Sequence, residues 1–289
     1  MIWPAEDLWL ALVAKQPGLT VEVLPEIDST NTELMRRARA GQTDPVLLVA
    51  ETQTAGRGRL GRPWHGEVGH ALTFSLGLML QPADWSGLSL AVGLSLARSL
   101  DPQGALGVRL KWPNDLWVQR PHTPMGWGKL AGILIETALP AGMGHDSRQS
   151  RYCVVGVGIN IAPPGPEGLS TAPLGLQDLQ NGITAPQALL KVAEPLLATL
   201  LAFERVGFAP LQQAFNARDA LHDVTLTLLG TLATAATTVR DDRATKAATK
   251  TQSRTGKGGS AHPVRAAKAT ARKASAAPRS SSSSATSAA

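Results

Sequence analysis

Glycines and arginines alternate between residues 56 and 62, in the order Gly-Arg-Gly-Arg-Leu-Gly-Arg. Glycine lets the backbone bend and approach a ligand closely. Each guanidinium supplies a permanently charged fork of donors that matches phosphate and carboxylate oxygens. The loop therefore predicts a site for an anionic ligand around Arg57, Gly58 and Arg59.

Two lysine-bearing motifs follow this loop, and they hold two of the four lysines in the first 239 residues. In the first, Lys-Trp-Pro-Asn-Asp, Lys111, Asn114 and Asp115 lie around a turn that the proline fixes. Such a corner suits a nucleotide phosphate with Mg²⁺, which proteins commonly hold with one carboxylate, phosphate oxygens and water. The same spacing also suits a plain surface turn with a solvated lysine.

The second lysine motif begins an apolar run over residues 128–136, Gly-Lys-Leu-Ala-Gly-Ile-Leu-Ile-Glu. Lys129 would lie at the mouth of a strand and reach into a cleft as a point charge, or remain a solvated strand end. A further run over 155–160, Val-Gly-Val-Gly-Ile-Asn, combines close backbone approach with the amide of Asn160. It lacks the third glycine and the following helix of a dinucleotide-binding fingerprint, so a Rossmann site is rejected.

Strand and helix periodicity alternate between residues 20 and 220, and a capping box starting at Thr30 marks the start of the first predicted helix. This order predicts an α/β domain in which helices cover a mixed β-sheet. The predicted strands are 21–27, 45–51, 71–80, 108–112, 116–118, 129–137 and 152–161, and the predicted helices are 30–41, 88–100 and 186–205.

Composition predicts a folded body followed by a basic tail. The 289 residues are 43% hydrophobic, enough for a sizeable core. The net charge of +6 comes from residues 240–289, which hold 11 basic against 2 acidic residues and leave −3 for the first 239. Because the tail is polar and lacks aromatic residues, its composition predicts disorder. Its basic charge predicts only a weak, salt-sensitive attraction to polyanions.

Several classes of protein are disfavoured. No uncharged apolar run is long enough for a membrane span, and the N-terminus lacks a basic secretory leader, so a cytoplasmic protein is predicted. The single cysteine, Cys153, excludes an internal disulfide and predicts a buried core thiol. The six histidines show no metal-ligand spacing, and no Gly-x-Ser-x-Gly nucleophile elbow is present.

Five motifs resemble those of the biotin protein ligases in order and spacing. The resemblance covers about residues 20–226 and implies the catalytic fold of that family, which is like that of class II aminoacyl-tRNA synthetases. The motifs are Ser29-Thr30-Asn31, the run 51–64, Lys111 to Asp115, Lys129 to Leu134, and Gly156 to Asn160.

The resemblance implies an enzyme that makes biotinyl-5′-AMP from biotin and ATP, with Mg²⁺, and passes biotin to one lysine of a carboxylase biotin carrier domain. Arg57 and Lys129 would be catalytic, and Asp115 would hold Mg²⁺. ATP would be bound by Lys111, Asn114 and Asn160. Biotin or its adenylate would be bound by Ser29, Thr30, Asn31, Gln53, Arg57, Gly58, Arg59, Lys129 and Gly132.

The chain departs from the family pattern at both ends. Only 28 residues precede Ser29, so a form without an N-terminal DNA-binding domain, and without specific DNA binding, is expected. The C-terminal SH3-like barrel is expected to be missing or degraded. This gives a catalytic domain over 1–225, a remnant over 226–239 and the tail over 240–289. A Gly/Pro-rich stretch over 163–175 would be either a lid over a ligand or a disordered segment. The loop 119–128, which links the two lysine motifs, is longer than is usual in the family.

Two other functions stay open at this point. A lipoate or octanoate ligase or transferase would share the fold, but the Gly-Arg-Gly-Arg and Lys-Trp-Pro-Asn-Asp motifs are not expected in it. A non-catalytic biotin-binding protein would keep the pocket without forming adenylate. The sequence does not identify the carrier, and a homodimer is compatible with it.

Overall fold

A mixed sheet of eight strands lies at the centre of the part of the chain that the structure describes. The computed structural model describes residues 1–64, 66–119, 126–139, 150–163 and 172–221. The strands are β1 Thr20–Ile27, β2 Val46–Gln53, β3 Ala71–Leu80, β4 Val108–Lys111, β5 Asp115–Gln119, β6 Trp127–Ala138, β7 Arg151–Asn160 and β8 Ala172–Pro173. Seven of them follow the spatial order β1-β2-β3-β7-β6-β5-β4, and β8 pairs with β6 beside that path. The β1–β2 and β6–β8 pairs are parallel and the others are antiparallel.

Helices cover both faces of this sheet. They are α1 Ala5–Val13, α2 Thr30–Arg39, α3 Leu88–Leu100, α4 Ala185–Val206 and α5 Gln212–Asn216. The larger hydrophobic core lies under α1, α3 and α4, and a smaller cluster lies under α2. By length and composition alone α4 could cross a membrane, but half of its most apolar stretch is buried in the protein, as in a core helix.

The predicted fold class is confirmed, and most of the predicted elements are present. The strand over 71–80 and the helix over 88–100 match at both ends, and both are largely apolar runs that are buried over most of their length. The helices α1 and α5 and the strand β8 were not predicted. They are short, and α1 buries only Leu8 and Leu12. The domain boundaries at 225 and 239, the C-terminal barrel and the tail lie outside the described residues.

The start of α2 corrects one detail. The N-cap is Ser29, whose hydroxyl accepts a hydrogen bond from the Thr32 amide at 3.4 Å, rather than the predicted Thr30. Ser29 has an extended backbone, as an N-cap residue requires, whereas Thr30 already belongs to the helix. The predicted partner Glu33 instead pairs with Arg36 and Arg37 on the same helix.

The prediction of a buried thiol is confirmed. Cys153 lies in β7 with no exposed surface among core side chains. Burial raises the pKa of its thiol to about 12, because a thiolate would lose its hydration there. The thiol is therefore neutral and unreactive at physiological pH.

A buried ion pair holds the edge of the sheet that carries the first lysine motif. Asp101 is 2% exposed, and its carboxylate accepts hydrogen bonds from the backbone amides of Leu106 and Val108, which lead into β4. The guanidinium of Arg218 lies 3.6 Å from this carboxylate and also donates to the Asp101 carbonyl oxygen. The backbone of Leu110 in turn bonds to residues 218 and 220 on both sides.

We predict that Arg218→Ala lowers the free energy of unfolding by about 3 kcal/mol or more, because it leaves the Asp101 charge buried without its cation. Urea denaturation monitored by tryptophan fluorescence measures this change. Arg98→Ala is the matched control, since Arg98 is exposed on α3. Equal small losses in both variants would contradict a role for the buried pair.

Candidate active site

The glycine-arginine loop folds back on itself as a tight hairpin after β2. The Trp64 amide donates to the Gly56 carbonyl oxygen at 2.8 Å, and the Gly58 amide donates to the Arg62 carbonyl oxygen at 2.7 Å. A Cβ at Gly56 would lie 2.4 Å from the Trp64 carbonyl oxygen, so only glycine fits there. Leu60, at the tip, has a φ of 57° and is 90% exposed.

Two of the three arginines of the loop, Arg57 and Arg59, reach other motifs. Arg57 Nε donates to Thr32 Oγ1 on α2 at 3.1 Å, and Arg57 Nη2 forms an ion pair with Glu136 on β6 at 3.1 Å. Arg59 Nη1 donates to Asn114 Oδ1 at 3.3 Å. The loop therefore contacts the first helix of the site, the second lysine strand and the Lys-Trp-Pro-Asn-Asp turn at the same time.

A β-bulge decides where Lys129 points. In the register of β5 and β6, Asp115 pairs with Gly132, and Leu116 pairs with Ala131. The next residue of β5, Trp117, pairs with Lys129, so Leu130 is an extra residue in β6. If side chains alternated regularly along β6 from Gly132, Lys129 would point to the opposite face of the sheet, towards the core under α3 and α4. The extra residue returns Lys129 to the face of Asp115, and its Nζ lies 2.9 Å from Asp115 Oδ1.

The Trp64 ring packs against two glycines, Gly132 on β6 and Gly158 on β7. A Cβ at Gly158 would lie 2.4 Å from the Trp64 indole ring, and a Cβ at Gly132 would lie 3.3 Å from it. The Lys129 ammonium is 5.8 Å from the centre of the same ring, within the range of a cation–π contact. Trp64 Nε1 is buried and has no hydrogen-bond partner within the described part of the chain.

The predicted head-group residues are bonded to one another. The Thr30 amide donates to Gln53 Oε1 at 2.8 Å, and the Thr30 hydroxyl lies 3.2 Å from the same oxygen. The buried hydroxyl of Ser75, on β3, lies 2.7 Å from both Thr30 Oγ1 and Asn31 Oδ1. Ser29 caps α2, as described above. These contacts hold the start of α2 against β2 and β3.

Asn31 bonds to the protein through both ends of its amide. Its oxygen accepts from Ser75, while Nδ2 donates to the Leu134 carbonyl oxygen at 3.2 Å and to Glu136 Oε2 at 3.0 Å. Gly156 makes this position possible, because a Cβ there would lie 2.0 Å from Asn31 Oδ1. Direct contact of Asn31 with a substrate stays a prediction, and the structure adds that Asn31 bonds the start of α2 to β3 and β6.

The predicted phosphate-binding side chains lie around the turn between β4 and β5. The Lys111 ammonium lies 4.3 Å from the centre of the Trp117 ring, a cation–π contact that holds the side chain. Asn114 Nδ2 donates to the Ile133 carbonyl oxygen at 2.9 Å, which leaves its oxygen to Arg59. The two lysine motifs and the loop thus meet at residues 114 and 115.

Asn160 has a supporting place in the structure. It is 8% exposed, and Nδ2 donates to the carbonyl oxygens of Lys129 at 3.1 Å and Leu174 at 3.2 Å. These bonds fix the backbone of the catalytic lysine candidate beside β7. The predicted contact of Asn160 with ATP remains a prediction.

The site suits a magnesium ion that arrives with a nucleotide. Asp115 offers one carboxylate next to Asn114, and no group of three or more His, Cys, Asp or Glu side chains among the described residues could hold a metal ion by itself. One carboxylate completed by phosphate oxygens and water is a usual Mg²⁺ ligand set.

Two residues of the site, Glu136 and Ser75, were not predicted from the sequence. Glu136 is the last residue of the second lysine motif, and no role was assigned to it. Ser75 lies in the predicted strand 71–80, where a polar residue within an apolar run was the available signal. Most of the stretch 163–175 and of the loop 119–128 lies outside the described residues.

Comparisons with known proteins show the family to which the chain belongs. Residues 23–160 match the model of the biotin/lipoate A/B protein ligase family. The chain is 36% identical over 212 residues to the bifunctional ligase/repressor BirA of Escherichia coli (strain K12), covering 72% of this chain and 62% of that protein. It is 32% identical over 211 residues to the biotin–[acetyl-CoA-carboxylase] ligase of Paracoccus denitrificans, covering 68% of this chain and 80% of that protein.

The fold also matches a solved structure, that of the biotin protein ligase from Aquifex aeolicus in complex with biotin and ATP. The identity is 28% and the TM-score 0.54, over 69% of this chain and 78% of that one. The sheet and the site thus define the catalytic fold of biotin protein ligases. The chain belongs to the biotin/lipoate A/B protein ligase family, and it spans about three fifths of the length of BirA.

We predict that Gly156→Ala lowers the free energy of unfolding by about 1–3 kcal/mol, because the new methyl group overlaps Asn31 Oδ1 and must displace it from Ser75. Urea denaturation is the measurement. Gly58→Ala is the control, since the nearest atom to a Cβ there is the Arg62 carbonyl oxygen at 3.5 Å. A loss no larger than that of the control would show that Asn31 does not need the space at Gly156.

Proposed function

We propose that this chain is a cytoplasmic biotin protein ligase. It would form biotinyl-5′-AMP and pyrophosphate from biotin and ATP, and then transfer biotin to a lysine on the biotin carrier domain of a carboxylase. The observation that carries the proposal is the meeting of the three cationic motifs at Asn114, Asp115 and Lys129. The family relation supports it.

The first half-reaction joins two anions. A biotin carboxylate oxygen attacks the α-phosphorus of ATP, and the bond from that phosphorus to the oxygen bridging to the β-phosphate breaks to release pyrophosphate. Because both reactants are negative, cations must offset their repulsion as the transition state forms. Lys129 and Arg57 supply fixed positive charge, and Lys111 lies near the turn where the departing phosphates would be held. Bound Mg²⁺ would add charge neutralisation beside Asp115.

The positions of these cations are set before substrate arrives. Lys129 is 33% exposed in its side chain and is held by Asp115, and Arg57 is held by Thr32 and Glu136. A cation held by fixed partners does not have to reorganise when charge develops, which lowers the barrier.

The second half-reaction uses a mixed anhydride that water would also attack. The amine of the carrier lysine attacks the biotinyl carbonyl carbon, the bond from that carbon to the phosphate oxygen breaks, and AMP leaves. The glycine-arginine hairpin and Trp64 border the site, so they are placed to limit the access of water to the anhydride. Leu60 at the exposed tip would be buried if the hairpin closed further.

The alternatives differ in measurable products. The Paracoccus denitrificans relative and the Aquifex aeolicus structure are named as biotin ligases, which favours biotin over lipoate or octanoate as the substrate. A non-catalytic biotin-binding protein would bind biotin without activating it. The proposal covers ligation only and includes no role on DNA.

We predict that the purified chain catalyses exchange of labelled pyrophosphate into ATP when biotin and Mg²⁺ are present and no carrier is added. Exchange reports reversible adenylate formation, so it tests the first half-reaction alone. Lipoate and octanoate should not replace biotin. Saturable biotin binding without any exchange would instead support the non-catalytic alternative.

We predict that Lys129→Ala lowers kcat for exchange by about 10²–10³, because the ammonium stabilises charge that develops in the transition state. The KM for biotin should change far less. Lys191→Ala is the control, because Lys191 lies on α4 and its ammonium bonds to Gln180. Similar losses in kcat and in biotin affinity would contradict a transition-state role for Lys129.

A further inference from the structure

Glu136 connects two parts of the site that sequence motifs keep apart. It lies on β6, and its side chain is 26% exposed. Glu136 Oε2 accepts from Asn31 Nδ2 at 3.0 Å and lies 3.1 Å from Arg57 Nη2, and Oε1 lies 3.3 Å from the same nitrogen. One carboxylate therefore contacts both the predicted head-group pocket and the predicted phosphate cation.

The contacts of Arg57 use one edge of its guanidinium. Nε donates to Thr32 and Nη2 donates to Glu136, and these two nitrogens form the side edge of the planar group. The end edge, which Nη1 and Nη2 share, makes no other hydrogen bond within the described ranges. A guanidinium fixed along its side edge keeps its end edge for a two-pronged contact with an anion.

The contact with Asn31 makes Glu136 part of a longer chain of bonds. Glu136 is followed by Asn31, then by Ser75 and Thr30, and the chain ends at Gln53. Every member before Gln53 bonds to at least two other residues, so the orientation of the guanidinium is tied to the predicted head-group residues. This arrangement sets the distance between the two subsites before ligand binds.

We propose that Glu136 is a positioning residue for adenylate formation. It fixes the Arg57 guanidinium so that its end edge meets the reacting anions, and it links that orientation to Asn31. This role rests on the proposed ligase function. Glu136 itself does not touch the reacting atoms. Its carboxylate acts through Arg57, so its effect depends on Arg57 being present.

A double-mutant cycle on the full chain tests the proposal. Biotin-dependent pyrophosphate exchange is measured for the wild type, Glu136→Gln, Arg57→Gln and the double variant. Glu136→Gln should lower kcat about tenfold or more, since small misplacement of a reacting group is costly, while the KM for biotin stays within about threefold. In the Arg57→Gln background, Glu136→Gln should have no further effect.

Two further variants separate positioning from folding. Glu136→Asp keeps the carboxylate and should recover part of the kcat that Glu136→Gln loses. Glu33→Gln removes a carboxylate that pairs with Arg36 and Arg37 on the same helix as Asn31, and it should leave kcat unchanged. Urea denaturation of each variant confirms that the compared proteins are folded.

The outcomes are distinguishable. Full activity of Glu136→Gln, or an equal loss from it with and without Arg57, overturns the positioning role and leaves the ligase proposal intact. A loss that Glu136→Asp does not reduce at all also overturns it. No exchange by the wild type contradicts the ligase function, and the role of Glu136 falls with it.

Discussion

The ion pair between Lys129 and Asp115 depends on one extra residue in a β-strand. Without the bulge at Leu130, the alternation of β6 would turn Lys129 into the helix-covered core, where an ammonium without a partner would be costly. With it, Lys129 shares a face with Asp115 and Gly132, and the two lysine motifs form one site. The lysine position also depends on Asn160, which holds its backbone from the neighbouring strand.

Small residues determine how closely the other parts approach this face. Gly156 admits the Asn31 amide, and Gly158 and Gly132 admit the Trp64 ring, so a side chain from another element packs against each of these three glycines. A protein interior is close-packed, and a single methyl group at Gly156 or Gly158 would overlap existing atoms, while one at Gly132 would crowd the Trp64 ring. The glycines of the motif therefore shape the pocket wall and do not themselves form a nucleotide-binding loop.

The polar side chains of the site form a connected network before any substrate is bound. One carboxylate, one amide and two hydroxyls, those of Glu136, Asn31, Ser75 and Thr30, join Arg57 to Gln53. A separate hydrogen bond joins Arg59 to Asn114 in the Lys-Trp-Pro-Asn-Asp turn. Such a network orients its members strongly, because moving a buried polar group away from its hydrogen-bond partner raises the free energy of the protein. Catalysis that relies on fixed charge is helped by this order, since little reorganisation remains for the reaction step.

The sequence by itself determined the α/β class, the longer strands and helices, the buried state of Cys153 and the motifs that carry the site. These features depend on local periodicity and on residue types whose chemistry is the same in any fold. It did not reveal that Ser29 caps α2, that Lys129 changes face, or that Glu136 joins Asn31 to Arg57. Those facts depend on strand register and on contacts between residues as far apart as Arg57 and Glu136 along the chain. Only the tertiary structure decides them, because a one-residue change in register moves a side chain to the other face of a sheet.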